Sequence, residues 1–313
     1  MHQPQPNPGS EEKSISVLVV TWNNETTLPD CLTALRRELP VGGELLCFDN
    51  HSADGSRGIA ESYGAHVEAS DSNVGFAAGM NRLATTARGE VLVLLNPDVF
   101  LHPGAIKALL QHFQWADEHK IVGGLLLATD GEPELTSARL FPTGWSIIGW
   151  LLTRRRSTRS VPIAAQEVEA VSGAFFATTR ELWNELGGFD EAYRHSWEDL
   201  DLFWRASRTG AGVWFEPGAE ATHLGGASVR QAPLQIDALR MYGALRFVRK
   251  RQGALAAALL RVALFFRSLM VLALDALRIH RLDGPRRTRA LALLRLALPG
   301  ESGRRLQLPV EPE

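Results

Sequence analysis

Cysteine is scarce in this chain of 313 residues, which contains only Cys31 and Cys47. Two thiols exclude a disulfide-stabilised scaffold and a zinc site with four thiolate ligands. We interpret both as buried thiols of a protein in a reducing compartment. The first residues also lack a basic stretch followed by an apolar run, so the sequence predicts no secretory signal. An apolar content of 45% and a net charge of −2 exclude a mainly disordered chain.

Two glycine-rich nucleotide motifs are also missing. The sequence contains no G-x-G-x-x-G, the fingerprint of dinucleotide binding, and no G-x-x-x-x-G-K-[ST], which argues against a P-loop kinase or ATPase. Gly75 and Gly79 lie near the start of a predicted helix but fit neither pattern. A zinc site built from several histidines is not visible either.

Charge is distributed unevenly along the chain. Residues 232–313 contain 15 Lys and Arg against 6 Asp and Glu, a net charge of +9, and the remainder carries −11. A basic tail can contact nucleic acid, anionic lipid or a phosphate-bearing substrate. Because its basic residues are not interleaved with aromatic ones and no known motif occurs, we do not expect nucleic acid as a partner.

Short apolar runs alternate with amphipathic segments over the first two thirds of the chain. The run Ile15–Thr21 is continuous and rich in β-branched residues, which is typical of a parallel strand buried on both faces. Val91–Leu95 is a second continuous apolar run and predicts another such strand. Helical spacing follows, including a long predicted helix over residues 103–119. This alternation predicts an α/β fold with a doubly wound, mostly parallel sheet flanked by helices.

The sequence predicts three parts. Residues 1–13 are polar and rich in proline, which predicts a flexible lead. Residues 14–231 form the α/β domain, in which residues 129–167 are irregular, contain an Arg154-Arg155-Arg156 run and predict a long, partly mobile loop. We further expect single strands over residues 171–178 and 212–215. Residues 232–313 are predicted to be a basic, amphipathic, helical C-terminal appendage.

The C-terminal part contains a strongly apolar segment, residues 254–277, that is interrupted by Arg261, Arg267 and Asp275. A membrane-spanning helix would bury these charges at about 2.5–3.5 kcal/mol each, which disfavours that interpretation. Two interpretations stay open: an amphipathic helix at a membrane surface, and a helix packed on the α/β body.

Polar clusters directly follow three predicted strands. They are Thr21-Trp-Asn23-Asn24-Glu25, Asp49-Asn50-His-Ser52-Ala-Asp54-Gly-Ser56 and Asn96-Pro97-Asp98. Ligands of open parallel sheets bind beyond the carboxyl ends of the strands, so these clusters predict one site at that edge. Asp49 can accept hydrogen bonds from a ribose or base, or it can cap the following turn. Asp98 suits Mg²⁺ or Mn²⁺ bridging a diphosphate, or it can belong to an ordinary turn.

Three carboxylates occur within four positions further along, at Glu198, Asp199 and Asp201. Clustered carboxylates can keep one of them poised as a general base, whereas an acidic helix start is also favoured by the helix dipole. The apolar residues that follow anchor this segment in a core. His223 could join Asp98 on a metal, although a single histidine is usually structural.

Taken in order, these motifs resemble family 2 glycosyltransferases of the GT-A fold, and most closely bacterial rhamnosyltransferase-like members that build cell-surface polysaccharide. The resemblance covers about residues 14–228. Its motifs are Val19-Val-Thr-Trp-Asn-Asn24, Asp49 to Ser56, Asn73-Val-Gly-Phe-Ala-Ala-Gly-Met-Asn81, Leu95-Asn-Pro-Asp98, Gly187-Gly-Phe-Asp190, Trp197-Glu-Asp-Leu-Asp201 and His223.

The resemblance implies roles for individual residues. Asp199 matches the general base of the family, and Glu198 its usual neighbour. Asp98 matches the last residue of the metal-binding D-x-D, and His223 matches a further metal ligand. The other two positions of the D-x-D are Asn96 and Pro97 here, which departs from the acidic pattern. Nucleotide-sugar binding falls to Thr21, Asn23, Glu25, Asp49, Asn73, Gly75 and Asn96. Asp98 and Asp199 must then lie in a single cleft.

The implied activity is inverting transfer from a nucleotide-diphosphate sugar, with dTDP-rhamnose as our choice of donor and Mg²⁺ or Mn²⁺ as cofactor. The implied acceptor is a glycan or polyprenyl-linked glycan, and the implied location is the cytoplasm, with peripheral contact at the anionic inner face of the plasma membrane. Two alternatives stay open. A sugar-nucleotide nucleotidyltransferase usually has a glycine-rich, basic loop after its first strand, which this chain lacks. A non-catalytic nucleotide-sugar binding module would not need the carboxylates retained here.

Overall fold

The computed structural model describes residues 14–113, 119–153, 160–193, 195–225, 233–277 and 284–298. The predicted flexible lead and the run of three arginines lie outside these ranges. The strands are β1 (Ile15–Thr21), β2 (Glu44–Asp49), β3 (His66–Ala69), β4 (Val91–Leu95), β5 (Val99–Leu101), β6 (Lys120–Leu127), β7 (Ala138–Arg139), β8 (Gln166–Glu167), β9 (Ala170–Val171), β10 (Phe175–Thr179) and β11 (Gly212–His223). The helices are α1 (Leu28–Glu38), α2 (Ser56–Ser62), α3 (Phe76–Thr86), α4 (Ala105–Leu110), α5 (Gly144–Thr153), α6 (Arg180–Leu186), α7 (Glu198–Thr209), α8 (Pro233–Ala276) and α9 (Gly284–Ala297).

The main sheet has the order β3-β2-β1-β4-β10-β6-β11-β5, and β8 pairs with β11. Strands β1 to β4 are mutually parallel, and β11 runs parallel to β6. Strand β10 is antiparallel to both of its neighbours. Strands β7 and β9 form a separate antiparallel pair. The predicted doubly wound, mostly parallel sheet flanked by helices is therefore confirmed.

The central strands are buried on both faces because helices cover each side of the sheet. Leu18 and Val20 point into a core shared with α3, α6 and α7. Val17 and Val19 point into the opposite core, shared with α1 and α4. Burial of one such side chain contributes about 1.5–3 kcal/mol, so a continuous apolar run is what this position in the sheet requires. Both cysteines are free and buried, as predicted.

The C-terminal helices α8 and α9 pack with α5 in a third apolar cluster. Helix α8 is broken at Gly253, whose φ of 90° is outside the helical region. Before that break, Phe247 belongs to the core above the main sheet, so α8 is packed on the α/β domain. The predicted boundary between residues 231 and 232 lies at the edge of the undescribed residues 226–232.

Several predicted elements are wrong. The long helix over residues 103–119 is the short α4, followed by a 3-10 turn at Gln111–Phe113, and residues 114–118 are not described. Within residues 129–167, predicted as a loop, the chain forms β7, α5 and β8. Helix α5 is apolar nearly all round: Ile147 and Leu151 are buried in the cluster shared with α8, whereas Trp145 and Leu152 are exposed. It therefore lacks the amphipathic pattern of a surface helix.

Two predicted strands also have different limits. Residues 171–178 form β9 and β10 with a turn between them. Strand β11 continues to His223 instead of ending at Phe215, because an irregularity between Glu216 and Glu220 accommodates a Pro-Gly pair that reads as a strand end. The extension brings His223 to the edge of the sheet where the predicted site lies.

Candidate active site

The carboxyl ends of β1, β2 and β4 open into a cleft of about 1980 Å³. Seven residues predicted for the site line it: Asn73, Gly75, Asn96, Asp98, Glu198, Asp199 and His223. Asp98 and Asp199 therefore lie in one cleft. The chemical roles assigned to these residues stay predictions. Thr21, Asn23, Glu25 and Asp49 do not line the cleft.

Asn23 and Glu25 connect the loop after β1 to the loop after β2. The backbone N–H of Ala53 donates to Asn23 Oδ1 at 2.8 Å, and that of Gly55 donates to Glu25 Oε2 at 2.9 Å. Asn23 has a φ of 51°, a left-handed conformation that asparagine tolerates better than most residues. These two side chains therefore connect two loops whose residues Asn24 and Asn50 line the cleft.

Asn24 and Asn50, which we did not predict as site residues, also line the cleft. Thr21, fully buried, donates from its hydroxyl to Asn24 Oδ1 at 3.3 Å. Asn50 donates from its amide to Asn73 Oδ1 at 3.0 Å and accepts from the Val74 N–H at 2.8 Å. Both asparagines fall inside motifs quoted above, so the signal was present in the sequence.

Three buried polar atoms of the site have no hydrogen-bond partner within the described ranges: Asp49 Oδ1, Asn96 Oδ1 and Glu198 Oε2. Buried polar atoms are normally hydrogen-bonded, and each unsatisfied one costs about 1–3 kcal/mol. Asn96 and Glu198 line the cleft, so a ligand bound there can supply the missing partners of these two atoms.

Asp98 and His223 are brought together by pairing of β5 with β11, in which His223 lies opposite Val99. His223 Nε2 is 3.5 Å from Asp98 Oδ1, and His223 Nδ1 is 3.1 Å from Glu134 Oε1. Metal-bound histidines usually donate their second ring N–H to a carboxylate, which fixes the tautomer. Glu134 occupies that position. It lies in the segment predicted as a loop, where nothing in the sequence distinguished it.

Burial alone would lower the pKa of His223, but hydrogen bonds to Asp98 and Glu134 and the charges of these carboxylates raise it to about 9. Without a metal the imidazole is therefore protonated at neutral pH. A cation bound at Nε2 would replace that proton, so cation binding here is coupled to proton release.

The residues present fit a divalent cation that also binds its substrate. Asp98 and His223 supply one oxygen and one nitrogen ligand, and Mg²⁺ and Mn²⁺ sites commonly use one or two protein ligands together with substrate phosphates. Within the described part of the chain, no three His, Cys, Asp or Glu side chains form a ready-made metal site. The remaining ligands would have to come from water and from a phosphate-bearing donor.

The turn before α7 is strained. Ser196 and Trp197 have φ values of 62° and 79°, a left-handed conformation that is uncommon outside glycine. Trp197 packs against Phe247 of α8 with ring centroids 5.5 Å apart. A Cβ at Gly243 would lie 2.6 Å from Trp197 Cδ1, so only glycine lets α8 approach this closely. Packing against α8 therefore holds the turn that presents Glu198 and Asp199.

Asp199 accepts a hydrogen bond from the Gly173 N–H at 3.1 Å and forms an ion pair with Arg139. A Cβ at Gly173 would lie 2.6 Å from Asp199 Cβ, so only glycine lets Asp199 approach the chain this closely. Burial and the neighbouring charge of Asp199 raise the pKa of Glu198. Arg139, on β7, lines the cleft and was missed because it lies in the segment predicted as a loop.

Comparison with known proteins agrees with this architecture. The sequence profile of Glycosyl transferase family 2 matches residues 16–184, more than half of the chain. The protein is thus a member of glycosyl transferase family 2. Within the family it is rhamnosyltransferase-like: over 237 residues it is 28% identical to the N-acetylglucosaminyl-diphospho-decaprenol L-rhamnosyltransferase of Mycobacterium tuberculosis, covering 67% of this chain and 75% of that protein.

A second relative and two solved structures extend the comparison. The pre-mycofactocin glycosyltransferase of M. tuberculosis is 25% identical over 70% of this chain, which spans 44% of that protein. A mannosyltransferase from Pyrobaculum calidifontis, solved with GDP-Man and Mn²⁺, has a TM-score of 0.53 at 16% identity, covering 94% of this chain and 87% of that one. GalNAc-T7 with UDP, GalNAc and Mn²⁺ has a TM-score of 0.55 at 17% identity, covering 68% and 43%. The two structures share the fold.

Proposed function

We propose that the protein is an inverting glycosyltransferase that moves a sugar from a nucleotide-diphosphate donor to a hydroxyl group of a glycan acceptor. The observation that carries the proposal is the presence of Asp98 and Asp199 in one cleft, at the carboxyl ends of the parallel strands of a family 2 chain. A single displacement needs one base and stabilisation of the leaving group, and no enzyme nucleophile.

The donor side of the cleft holds the nucleotide. Asn96 Oδ1, buried without a partner in the described structure, receives a hydrogen bond from the donor. Asn50 and Asn73, which bond each other at 3.0 Å, shape the pocket. Asp98 and His223 would hold Mg²⁺ or Mn²⁺, and the cation would neutralise charge on the diphosphate.

On the acceptor side, Asp199 removes the proton of the attacking hydroxyl group. The Gly173 N–H and Arg139 orient its carboxylate. Glu198 lies next to it with one unpartnered oxygen among the described residues, and the raised pKa of Glu198 lets it remain protonated and donate a hydrogen bond. The two acidic residues thus have different tasks, set by their surroundings.

For the substrates we propose dTDP-rhamnose as donor and a polyprenyl-diphosphate-linked glycan as acceptor, in cell-surface polysaccharide synthesis. The support is similarity to the mycobacterial rhamnosyltransferase, whose name states a diphospho-decaprenol acceptor. Membership of a glycosyl transferase family favours this proposal over a nucleotidyltransferase, and retention of Asp98 and Asp199 favours it over a binding module without activity.

We further propose that the protein is cytoplasmic and rests on the inner face of the membrane. Among the described residues, one helix, Asp237–Ala276, is long and apolar enough to span a membrane by length and composition. One side of it packs on α5 and α9 through Leu260 and Leu264. Its other side exposes a line of apolar side chains: Leu255, Leu259, Val262, Phe266, Leu269 and Met270. A helix that is packed on one side and apolar on the other can lie in the plane of the membrane–water interface.

Donor screening tests the proposal directly. Purified protein is heated with dTDP-rhamnose, UDP-linked hexoses and GDP-mannose, with and without Mn²⁺, and a ligand that binds the folded state raises its melting temperature. We expect the largest shift with dTDP-rhamnose and Mn²⁺. Release of dTDP in the presence of a polyprenyl-diphosphate-linked N-acetylglucosamine then reports transfer. Absence of a shift with every nucleotide sugar would contradict the proposed activity.

A further inference from the structure

The cleft is larger than the donor site requires. Pockets for a single small molecule usually measure about 300–1,000 Å³, and this one measures about 1980 Å³. It extends beyond Asp199 to a floor formed by α5, α8 and α9. The mechanism above assigns no ligand to this second part of the cleft.

The floor carries a group of positive charges that we call the arginine arm: Arg240, Arg251, Arg267 and Arg289. The residues of α8 and α9 that line the cleft include these four arginines and one carboxylate, Asp237, which pairs with Arg289 at 3.0 Å. Among the described residues of α8 and α9 that line the cleft, arginines therefore outnumber carboxylates by four to one.

Local contacts hold two of these side chains in place. Arg251 donates from Nη1 to the carbonyl groups of Phe141 and Pro142 at 3.5 and 3.4 Å, and its guanidinium lies 5.0 Å from the centre of the Phe141 ring. Arg267 donates from Nε to the Leu151 carbonyl at 3.0 Å. Guanidinium groups held in this way are suited to phosphate oxygens, which they can bind through two parallel N–H donors.

The arginine arm adjoins apolar surface on the same helix. Arg267 follows Phe266, whose exposed fraction is 63%, and precedes Leu269 and Met270, which are also exposed. Charge in the cleft beside hydrocarbon on the outside matches a ligand with a phosphate head and an apolar chain. A free nucleotide or a simple glycan has no apolar chain that could contact the exposed apolar surface of α8.

We propose that the arginine arm binds the diphosphate group of a lipid-linked acceptor, with the lipid chain along the exposed face of α8 and the acceptor sugar directed towards Asp199. This inference rests on the proposed function. It adds a second anion site, separate from the one at Asp98 and His223, and explains why the C-terminal helices line the same cleft as the catalytic carboxylates.

Calorimetric titration of the full chain with farnesyl diphosphate tests the site. EDTA is present throughout, because diphosphate binding at Asp98 needs a cation and binding by arginines does not. The double variant Arg240→Gln/Arg251→Gln is compared with the wild type, and Arg240→Gln alone serves if the double variant does not fold. The matched control is Arg249→Gln, which removes the same charge from an exposed position of α8 that does not line the cleft.

We expect farnesyl diphosphate to bind the wild type and Arg249→Gln alike and the double variant at least tenfold more weakly, with the single variant in between. Equal affinity for the wild type and the arm variants would overturn the inference. If farnesol bound as tightly as farnesyl diphosphate, the site would not recognise the diphosphate group. If inorganic diphosphate bound as tightly, the site would not recognise the lipid chain.

A donor measurement separates this inference from the proposed function. Nucleotide-sugar binding with Mn²⁺ is followed by thermal shift in the same variants, and we expect it to be unchanged. If the donor binds and is consumed while farnesyl diphosphate does not bind, only the arginine arm is refuted. If no nucleotide sugar binds or is consumed, the glycosyltransferase proposal itself is refuted.

Discussion

The donor side and the acceptor side of the cleft are stabilised in different ways. On the donor side, hydrogen bonds from backbone N–H groups to side chains connect the loops after β1 and β2, as in the bonds from Ala53 to Asn23 and from Gly55 to Glu25. On the acceptor side, the strained turn at Ser196 and Trp197 is held by packing against α8, a helix that follows the whole α/β domain.

The two sides of the cleft therefore depend on different parts of the chain. The donor side depends on residues inside a few short motifs, so it can form once the neighbouring strands pair. The acceptor side exists only when α8 is docked, since a turn with two left-handed residues costs about 1–3 kcal/mol for each of them. The C-terminal helices therefore help to hold the turn that carries Glu198 and Asp199.

The largest expected effect is that of Asp199→Asn. Removal of a general base lowers kcat by about 10²–10⁴-fold, while donor binding, measured by thermal shift with Mn²⁺, stays within twofold of the wild type. The control Asp30→Asn changes an exposed carboxylate on α1 and leaves turnover unchanged. If Asp199→Asn turned over at the wild-type rate, Asp199 would not be the general base. Glu198→Gln would then be the variant to measure.

Glu134→Gln tests the metal on the donor side. Loss of the carboxylate behind His223 weakens the affinity for Mn²⁺ by about 10–100-fold and leaves kcat at saturating Mn²⁺ near that of the wild type. The measurement is the Mn²⁺ concentration that gives half-maximal activity. Glu132→Gln, at an exposed position two residues earlier, is the control. An unchanged requirement for Mn²⁺ would show that Glu134 does not orient His223.

Gly243→Ala tests whether α8 holds the acceptor side. The added Cβ would overlap Trp197 and displace the turn that carries Asp199. A shift of 1 Å in a catalytic group can cost up to about 10²-fold in rate, and we expect a loss of about tenfold in kcat with donor binding preserved. Gly149→Ala, on α5 with open space around the position, is the matched control. Equal activity of the two variants would contradict the proposed dependence of the turn on α8.

The smallest expected effect concerns the ion pairs between α8 and the α/β domain. Burial opposes ionisation of Asp190, but hydrogen bonds from Arg246 and Lys250 of α8 lower its pKa to about 2. Because the folded-state pKa lies below the unfolded value of about 3.9, the stability from Asp190 is present above pH 4 and is lost as the pH falls towards 2.

Asp190→Asn removes this contribution, which amounts to about 2 kcal/mol at pH 7. Urea unfolding of the wild type and the variant at pH 7 and pH 3 measures it, and the difference between the two proteins should shrink at the lower pH. The exposed Asp30→Asn variant is the control. A difference that is the same at both pH values would mean that Asp190 acts through packing and not through its charge.

Much of the sheet could be predicted from the sequence because its central strands are buried on both faces. Strands β1 and β4 have the limits expected from their apolar runs. Strand β11 was predicted too short, and α5 was missed. In both cases tertiary contacts overrode the local pattern: pairing with β6 continues past a Pro-Gly pair, and packing on α8 stabilises a helix without a polar face.

The sequence by itself determined the class of fold, the family and the motifs that supply Asp98, Asp199 and His223, because these depend on short-range patterns of apolar and polar residues. Only the tertiary structure decided that Glu134 backs His223, that Arg139 pairs with Asp199 and that four arginines of the C-terminal helices line the same cleft. Such contacts join segments far apart in the chain, and local spacing cannot show which of them will meet.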